Sequence, residues 1–211
     1  MKSVLSNIAE VRRTLPDDVT LVCVTKYHSL EETEAVYDAG ERDFAESRLQ
    51  EMLQKKEALP ADIRWHFIGH LQTNKVRQLV PFVYLIQSVD SVHLLECISK
   101  EAVRCGRTVN VLLELHVAQE ETKTGFSVSD VDTLRQVIAA PPQGVAVRGL
   151  MAMASHTNDE SRIRQDFRTV ATLFKTLFPG GGILSMGMSD DYQMAIREGA
   201  NMVRIGSRLF E

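Results

Sequence analysis

A lysine, an arginine and two glycine–serine turns are the residues of this chain whose types and spacing point to chemistry. Lys26 follows the apolar run TLVCVT at 20–25. In an extended strand, Val22, Val24 and Lys26 share one face. A lysine held at an apolar mouth is desolvated, which disfavours the ammonium and frees the amine to form a Schiff base with a carbonyl. The plain alternative is a lysine that opens the exposed loop YHSLEE. Near the other end, Gly187-Met188-Ser189 and Gly206-Ser207 each close a short apolar run. Glycines admit close backbone approach, N–H and hydroxyl groups donate, and helix N-termini favour anions, so the two turns together suit a phosphate. Two ordinary turns would carry the same residues. Arg204 shares a strand face with Met202 and Gly206 and is expected to point inward. Burial of an arginine demands a partner. A ligand with an aromatic nitrogen or an acid group would serve, as would an inward acid such as Glu114.

These residues would suit an aldehyde that bears a phosphate. Pyridoxal 5′-phosphate is one, and a sugar phosphate in a Schiff-base aldolase is another. Other residues give less. His66 and His70 are four apart but fall on a strand and a turn, where they would not share a face as metal ligands do on a helix. His28 and His116 stand singly. Cys23 reads as core, and Cys97 and Cys105 as packing residues of one helix. The methionines 151, 153, 186, 188, 194 and 202 read as core. No Ser-His-Asp arrangement stands out by spacing.

The elements that must position these residues alternate along the chain. Strands are expected at 20–25, 42–46, 64–69, 83–88, 109–117, 145–153, 182–187 and 201–206. Helical periodicity fills about 30–39, 47–58, 73–80, 91–105, 128–139, 159–178 and 190–198, and an extra amphipathic helix precedes the first strand. Ser29 with Glu32 makes a capping box. Gly40, Gly106 and Gly199 stand where helices should stop. Ser189 with Asp190 and Asp191 resembles a helix start with acids in its first turn. Eight strands with intervening helices suggest an α/β fold, a single (β/α)8 TIM barrel with an extra N-terminal helix, spanning residues 1–211 as one domain; an open doubly wound sheet is the alternative, and the count of eight and the lack of a Gly-rich turn after the first strand favour the barrel. No GxGxxG or GxxxxGKS motif follows the first strand, which speaks against nucleotide binding by those routes.

Composition narrows the class. Apolar residues make up 44% and charged residues 25%, which excludes a disordered chain, a collagen-like repeat and a coiled coil. A net charge of −4 speaks against a general nucleic-acid binder. No apolar run approaches the roughly 18 residues of a membrane helix, and the N-terminus shows no apolar signal region. Three cysteines without a CxxC fit a reducing, cytoplasmic compartment. No long exposed apolar stripe is evident, so a monomer is expected.

The chain resembles the pyridoxal phosphate homeostasis protein family, whose barrel is similar to the N-terminal domain of alanine racemase. The resemblance rests on VTKYHS at 24–29, FAESRLQE at 44–51, WHFIGHLQTNKVR at 65–77, SVDS at 88–91, ETKTGF at 121–126, RGLMAM at 148–153 and LSMGMSDDYQMAIREGANMVRIGS at 184–207. It implies pyridoxal 5′-phosphate as the cofactor, held by Lys26 as an internal aldimine. It implies that Ser189, Gly206 and Ser207 hold the phosphate and that Arg204 faces the pyridine nitrogen. A guanidinium there would keep that nitrogen unprotonated and the ring a poorer electron sink. Ser47 stands where the family usually carries an asparagine near the cofactor, which weakens a contact to the ring's 3-hydroxyl. His116 also replaces a usual asparagine, and Ser207 replaces a threonine while keeping the hydroxyl. The resemblance implies storage, buffering or delivery of the cofactor, with apo enzymes as recipients. An amino-acid racemase is the alternative. Racemisation needs an acid or base on each face of the substrate, and no tyrosine has an evident route to the mouth. The chain ends at Glu211, so little or no closing C-terminal helix and no second, β-rich domain are expected.

Overall fold

Parallel strands buried on both faces read as near-continuous apolar runs, and the eight runs of this chain form a closed ring. The computed structural model describes residues 3–117 and 124–211. The first half runs α1 (Val4–Thr14), β1 (Thr20–Val24), α2 (Leu30–Asp38), β2 (Asp43–Glu46), α3 (Leu49–Ala58), β3 (Arg64–Phe67), a 3-10 turn (Thr73–Lys75) leading into α4 (Val76–Leu79), β4 (Leu85–Val89) and α5 (Val92–Arg104). The second half runs β5 (Val109–His116), β6 (Phe126–Ser127), α6 (Val131–Ala139), β7 (Val145–Ala152), α7 (Glu160–Leu177), β8 (Ile183–Ser185), α8 (Tyr192–Arg197), β9 (Met202–Ile205) and α9 (Ser207–Phe210). Strands pair in the order β1-β2-β3-β4-β5-β7-β8-β9, and β9 returns to β1. This is the (β/α)8 barrel that the strand count predicts. The two-residue β6, paired with the end of β5, is an addition the sequence pattern does not announce.

Alternation along the strands separates two apolar layers. Val22, Val24, Ala45, Leu85, Leu112, Met151 and Met202 fill the inside of the ring. Leu21, Cys23, Phe44, Trp65, Ile86, Leu113, Leu150, Leu184, Val203 and Ile205 face outward into the larger core shared with the helices. Cys23 is thus core, as expected, and all three thiols are free. Helix punctuation holds at α2, where Ser29 Oγ accepts from the Glu32 N–H and the Glu32 carboxylate accepts from the Ser29 N–H. Gly40, Gly106 and Gly199 all have positive φ just past helix ends.

Several expectations need correction. α3 begins at Leu49, so Ser47 lies in the preceding turn rather than in the helix. α8 begins only at Tyr192, with Asp191 at its N-cap position, so Ser189 and Asp190 precede the helix. The 73–80 stretch splits into a three-residue 3-10 turn and a four-residue helical turn. Met153 and Met188 are exposed rather than core, because both lie past the ends of their strands. The C-terminal helix is the single turn α9, little helix as expected, and it packs against α1 and His28. The Asn7 amide of α1 donates to its Leu209 carbonyl, and Phe210 stacks on His28. Among the described residues, no helix is long and apolar enough to cross a membrane.

Candidate functional site

The C-terminal ends of parallel barrel strands form the face where loops converge, and the residues singled out above gather there. Lys26 lies two positions beyond Val24, which belongs to the inner layer, in the turn after β1. It is half-buried, and its Nζ makes no hydrogen bond or ion pair among the described residues; its nearest aromatic neighbour is the Tyr27 ring, 5.7 Å away. Tyr27 carries φ 70°, the left-handed region that a side chain of this size rarely adopts. That backbone reversal turns the Tyr27 ring out to solvent directly after the lysine.

A buried cluster underlies this turn. Lys55 of α3 donates to the Thr25 carbonyl and to Glu46 Oε1, each at 2.6 Å. The Thr25 hydroxyl donates to the same carboxylate oxygen at 2.7 Å. Burial raises the pKa of Glu46, and the bonds from Lys55 and Thr25 oppose that rise. Its second oxygen, Oε2, is buried without a partner. Sequence reasoning missed this cluster. Its only signal was acidic Glu46 directly after the apolar Phe44-Ala45 pair of a strand.

Ser47 follows, half-buried, and its backbone lies against Gly69. A Cβ on Gly69 would sit 2.1 Å from the Ser47 carbonyl oxygen, so only glycine permits this approach. On the other side of β1, the register Cys23↔Ile205 brings Gly206 beside Val24. The Gly206 N–H donates to Ser189 Oγ at 3.3 Å, joining the two glycine–serine turns. Gly187 has φ 92°, and a Cβ there would meet Tyr192 and Ala195 at 2.7 Å, which ties this turn closely to α8. Ser189 is buried and Ser207 exposed. Lys26, Ser47, Ser189, Gly206 and Ser207 therefore stand at the same end of the barrel, on or beside the adjacent strands β1, β2, β8 and β9.

Arg204 points inward, as the alternation requires, and is buried. The alternative partner, Glu114, makes no hydrogen bond or close ion pair with it among the described residues. Arg204 Nη1 instead donates to the Ser185 carbonyl at 3.0 Å and to Ser185 Oγ at 2.6 Å, and Nη2 donates to the Ala152 carbonyl at 3.1 Å. Its Nε–H meets no acceptor among the described residues. Burial lowers the guanidinium to about 10, against the opposing fields of Asp191 and Glu114, so it stays charged at neutral pH. Glu114 rises to about 7, chiefly through burial and then through Asp90, with Arg204 pulling the other way. His116 Nδ1, on the last residue of β5, and Ser155 Oγ, past the end of β7, are buried without partners.

From Arg204, hydrogen bonds continue down the barrel interior through Ser185, Gln87 and His66 to Asp43. These residues were also missed, although polar side chains at inward positions of buried strands were the available signal. His66 is engaged at both ring nitrogens, and His70 pairs with Asp90 at 3.3 Å. Of the ETKTGF segment, residues 121–123 lie outside the described residues.

Comparison with known proteins defines the class. Residues 1–211 match the family described as alanine racemase, N-terminal domain. An alanine racemase of Clostridium difficile 630 shares the fold alone, at 13% identity and a TM-score of 0.77, over 98% of this chain and 56% of that one. The pyridoxal phosphate homeostasis protein of Helicobacter pylori is 36% identical over 92% of this chain and 87% of its own. PipY of Synechococcus elongatus PCC7942, solved with PLP bound, is 32% identical with a TM-score of 0.87, over 99% of this chain and 100% of that one. The chain belongs to the alanine racemase N-terminal domain family, in the branch of the pyridoxal phosphate homeostasis proteins.

Proposed function

We propose that this protein binds pyridoxal 5′-phosphate at the barrel mouth and serves its homeostasis by storing, buffering or delivering it. The observation that carries this reading is Lys26, a primary amine half-buried at the mouth, which makes no hydrogen bond or ion pair among the described residues. The cofactor supplies an aldehyde to which such an amine can couple covalently. The donor set fits the rest of the molecule. The hydroxyls of Ser189 and Ser207 and the backbone of Gly206 suit the phosphate. The Nε–H of Arg204 suits the pyridine nitrogen, because a guanidinium donates there without giving up a proton. The hydroxyl of half-buried Ser47 suits the ring's 3-hydroxyl side, with a weaker contact than an asparagine would make. The unpartnered His116 Nδ1 and Ser155 Oγ are further polar groups that a ligand would satisfy.

Carriage without robust catalysis is favoured over racemisation by the tyrosines. Tyr37 donates to Asp62, the Tyr192 hydroxyl is bonded to Thr14, Tyr84 neighbours Arg64 at the far rim, and Tyr27 is 68% exposed. None faces Lys26 across the mouth as a second base would. The reading extends to residues 1–211 as one domain, a monomer in the cytoplasm, handing its cofactor to apo enzymes without contacting nucleic acid or membrane. Free thiols and the absence of a long apolar helix among the described residues suit that setting.

Absorption spectra of the protein with added pyridoxal phosphate, before and after borohydride, test the reading. A near-visible band that borohydride fixes to the chain, and that Lys26→Ala abolishes, is the expected result. Retention of the fixed band in Lys26→Ala would remove Lys26 from the site. No band in the wild type would overturn the cofactor reading itself.

A further inference from the structure

The hydrogen-bond line below Arg204 is satisfied at every link by one assignment of its protons. Arg204 Nη1 donates to Ser185 Oγ, so the serine proton must go elsewhere, and Gln87 Oε1 at 2.7 Å is its acceptor. That fixes the Gln87 amide, whose nitrogen then donates to His66 Nδ1 at 3.0 Å. His66 accepts at Nδ1 and so carries its proton at Nε2, which donates to Asp43 Oδ1 at 3.0 Å. Every link donates in one direction, from a cation to a carboxylate. Ser185, Gln87 and His66 have no measurable exposure, so water offers none of them another partner. Asp43 sits on the rim opposite the mouth, where Arg64 clamps both its oxygens at 2.7 and 2.5 Å.

We infer that Asp43 is a positioning group of Arg204, acting through His66, Gln87 and Ser185. A buried guanidinium ordinarily needs a carboxylate beside it. Here the nearest acids, Glu114 and Asp191, act on it through their fields but make no hydrogen bond to it among the described residues, so its orientation depends on the polarised line that ends at Asp43. The arrangement occupies Nη1 and leaves Nε–H for whatever fills the mouth. This consequence rests on the proposed cofactor reading; the line itself does not.

The test uses the apo chain first. Nitrogen-15 NMR at neutral pH is expected to show His66 as the Nε2–H tautomer and slow exchange of the Arg204 side-chain N–H groups. Gln87→Leu breaks the line, and Asp43→Asn removes its terminal charge. Each is expected to speed that exchange and to weaken pyridoxal phosphate binding, measured by fluorescence, by about tenfold. Arg64→Gln removes the rim clamp but not the line, and is expected to stay within about twofold of wild type in both readouts. Ser185→Ala opens the first link with less disturbance and takes the place of Gln87→Leu if that variant fails to fold. An Nδ1–H tautomer, or a line-breaking variant with wild-type exchange and affinity, overturns the inference. A wild type that takes no cofactor defeats the proposed function, while exchange and tautomer still decide the line.

Discussion

The lower half of the barrel interior and its mouth treat polar groups in opposite ways. Below, Asp43, His66, Gln87 and Ser185 are hydrogen-bonded from one to the next. At the mouth, Lys26 and Glu114 lack hydrogen-bond partners among the described residues, and His116 Nδ1 and Ser155 Oγ are orphaned. Buried polar groups are normally satisfied because leaving one unpaired costs about 1–3 kcal/mol. The same chain meets that requirement in one place and leaves it open about two residue levels away. Under the proposed function, the difference separates groups that hold the fold from groups left for a ligand.

The cluster beneath Lys26 offers the largest test, because it mixes both conditions. Lys55→Met would leave the Glu46 carboxylate buried with only the Thr25 hydroxyl, and it is expected to cost about 3 kcal/mol in urea unfolding. A loss below about 1 kcal/mol would mean that the pair is structurally dispensable.

Glu114 sharpens the contrast through pH. Its folded value of about 7 lies above the usual 4.5. The folded state therefore holds a proton that the unfolded state releases, and stability is lost as pH rises from 4.5 to 7. Glu114→Gln removes that penalty. The variant is expected to match wild type at pH 4 and to exceed it by about 3 kcal/mol at pH 8. Equal differences at the two pH values would show that Glu114 is not held neutral.

Asp43 gives the opposite and smaller slope. Burial raises it, but the bonds from Arg64 and His66 prevail and hold it at about 2, below the usual 3.8. Its contribution is present above 3.8 and is lost as pH falls toward 2. Wild type is expected to lose about 2 kcal/mol across that window, and Asp43→Asn none of it. Parallel acid-unfolding curves for the two proteins would remove Asp43 from the satisfied half.

The barrel was legible because its strands are buried on both faces and its helices carry caps and glycine stops. The sequence reading assigned Lys26 and Arg204 to the mouth and interior by strand alternation, and the glycine–serine turns by their position after the last two barrel strands. The short elements were not legible. β6 has two residues and α9 four, too few for any periodicity to emerge. The Lys55–Glu46 pair and the line to Asp43 were not legible either. Gln87 and Ser185, for example, stand 98 residues apart, and no local pattern links them.

By itself the sequence determined which residues face inward, because a strand's period of two follows from its backbone. It therefore determined that a guanidinium enters an apolar ring and that an amine follows the end of one of its strands. Only the tertiary structure decided which of those polar groups are satisfied. Hydrogen-bond partners across a closed barrel are set by strand register and ring closure, and both depend on the whole chain at once.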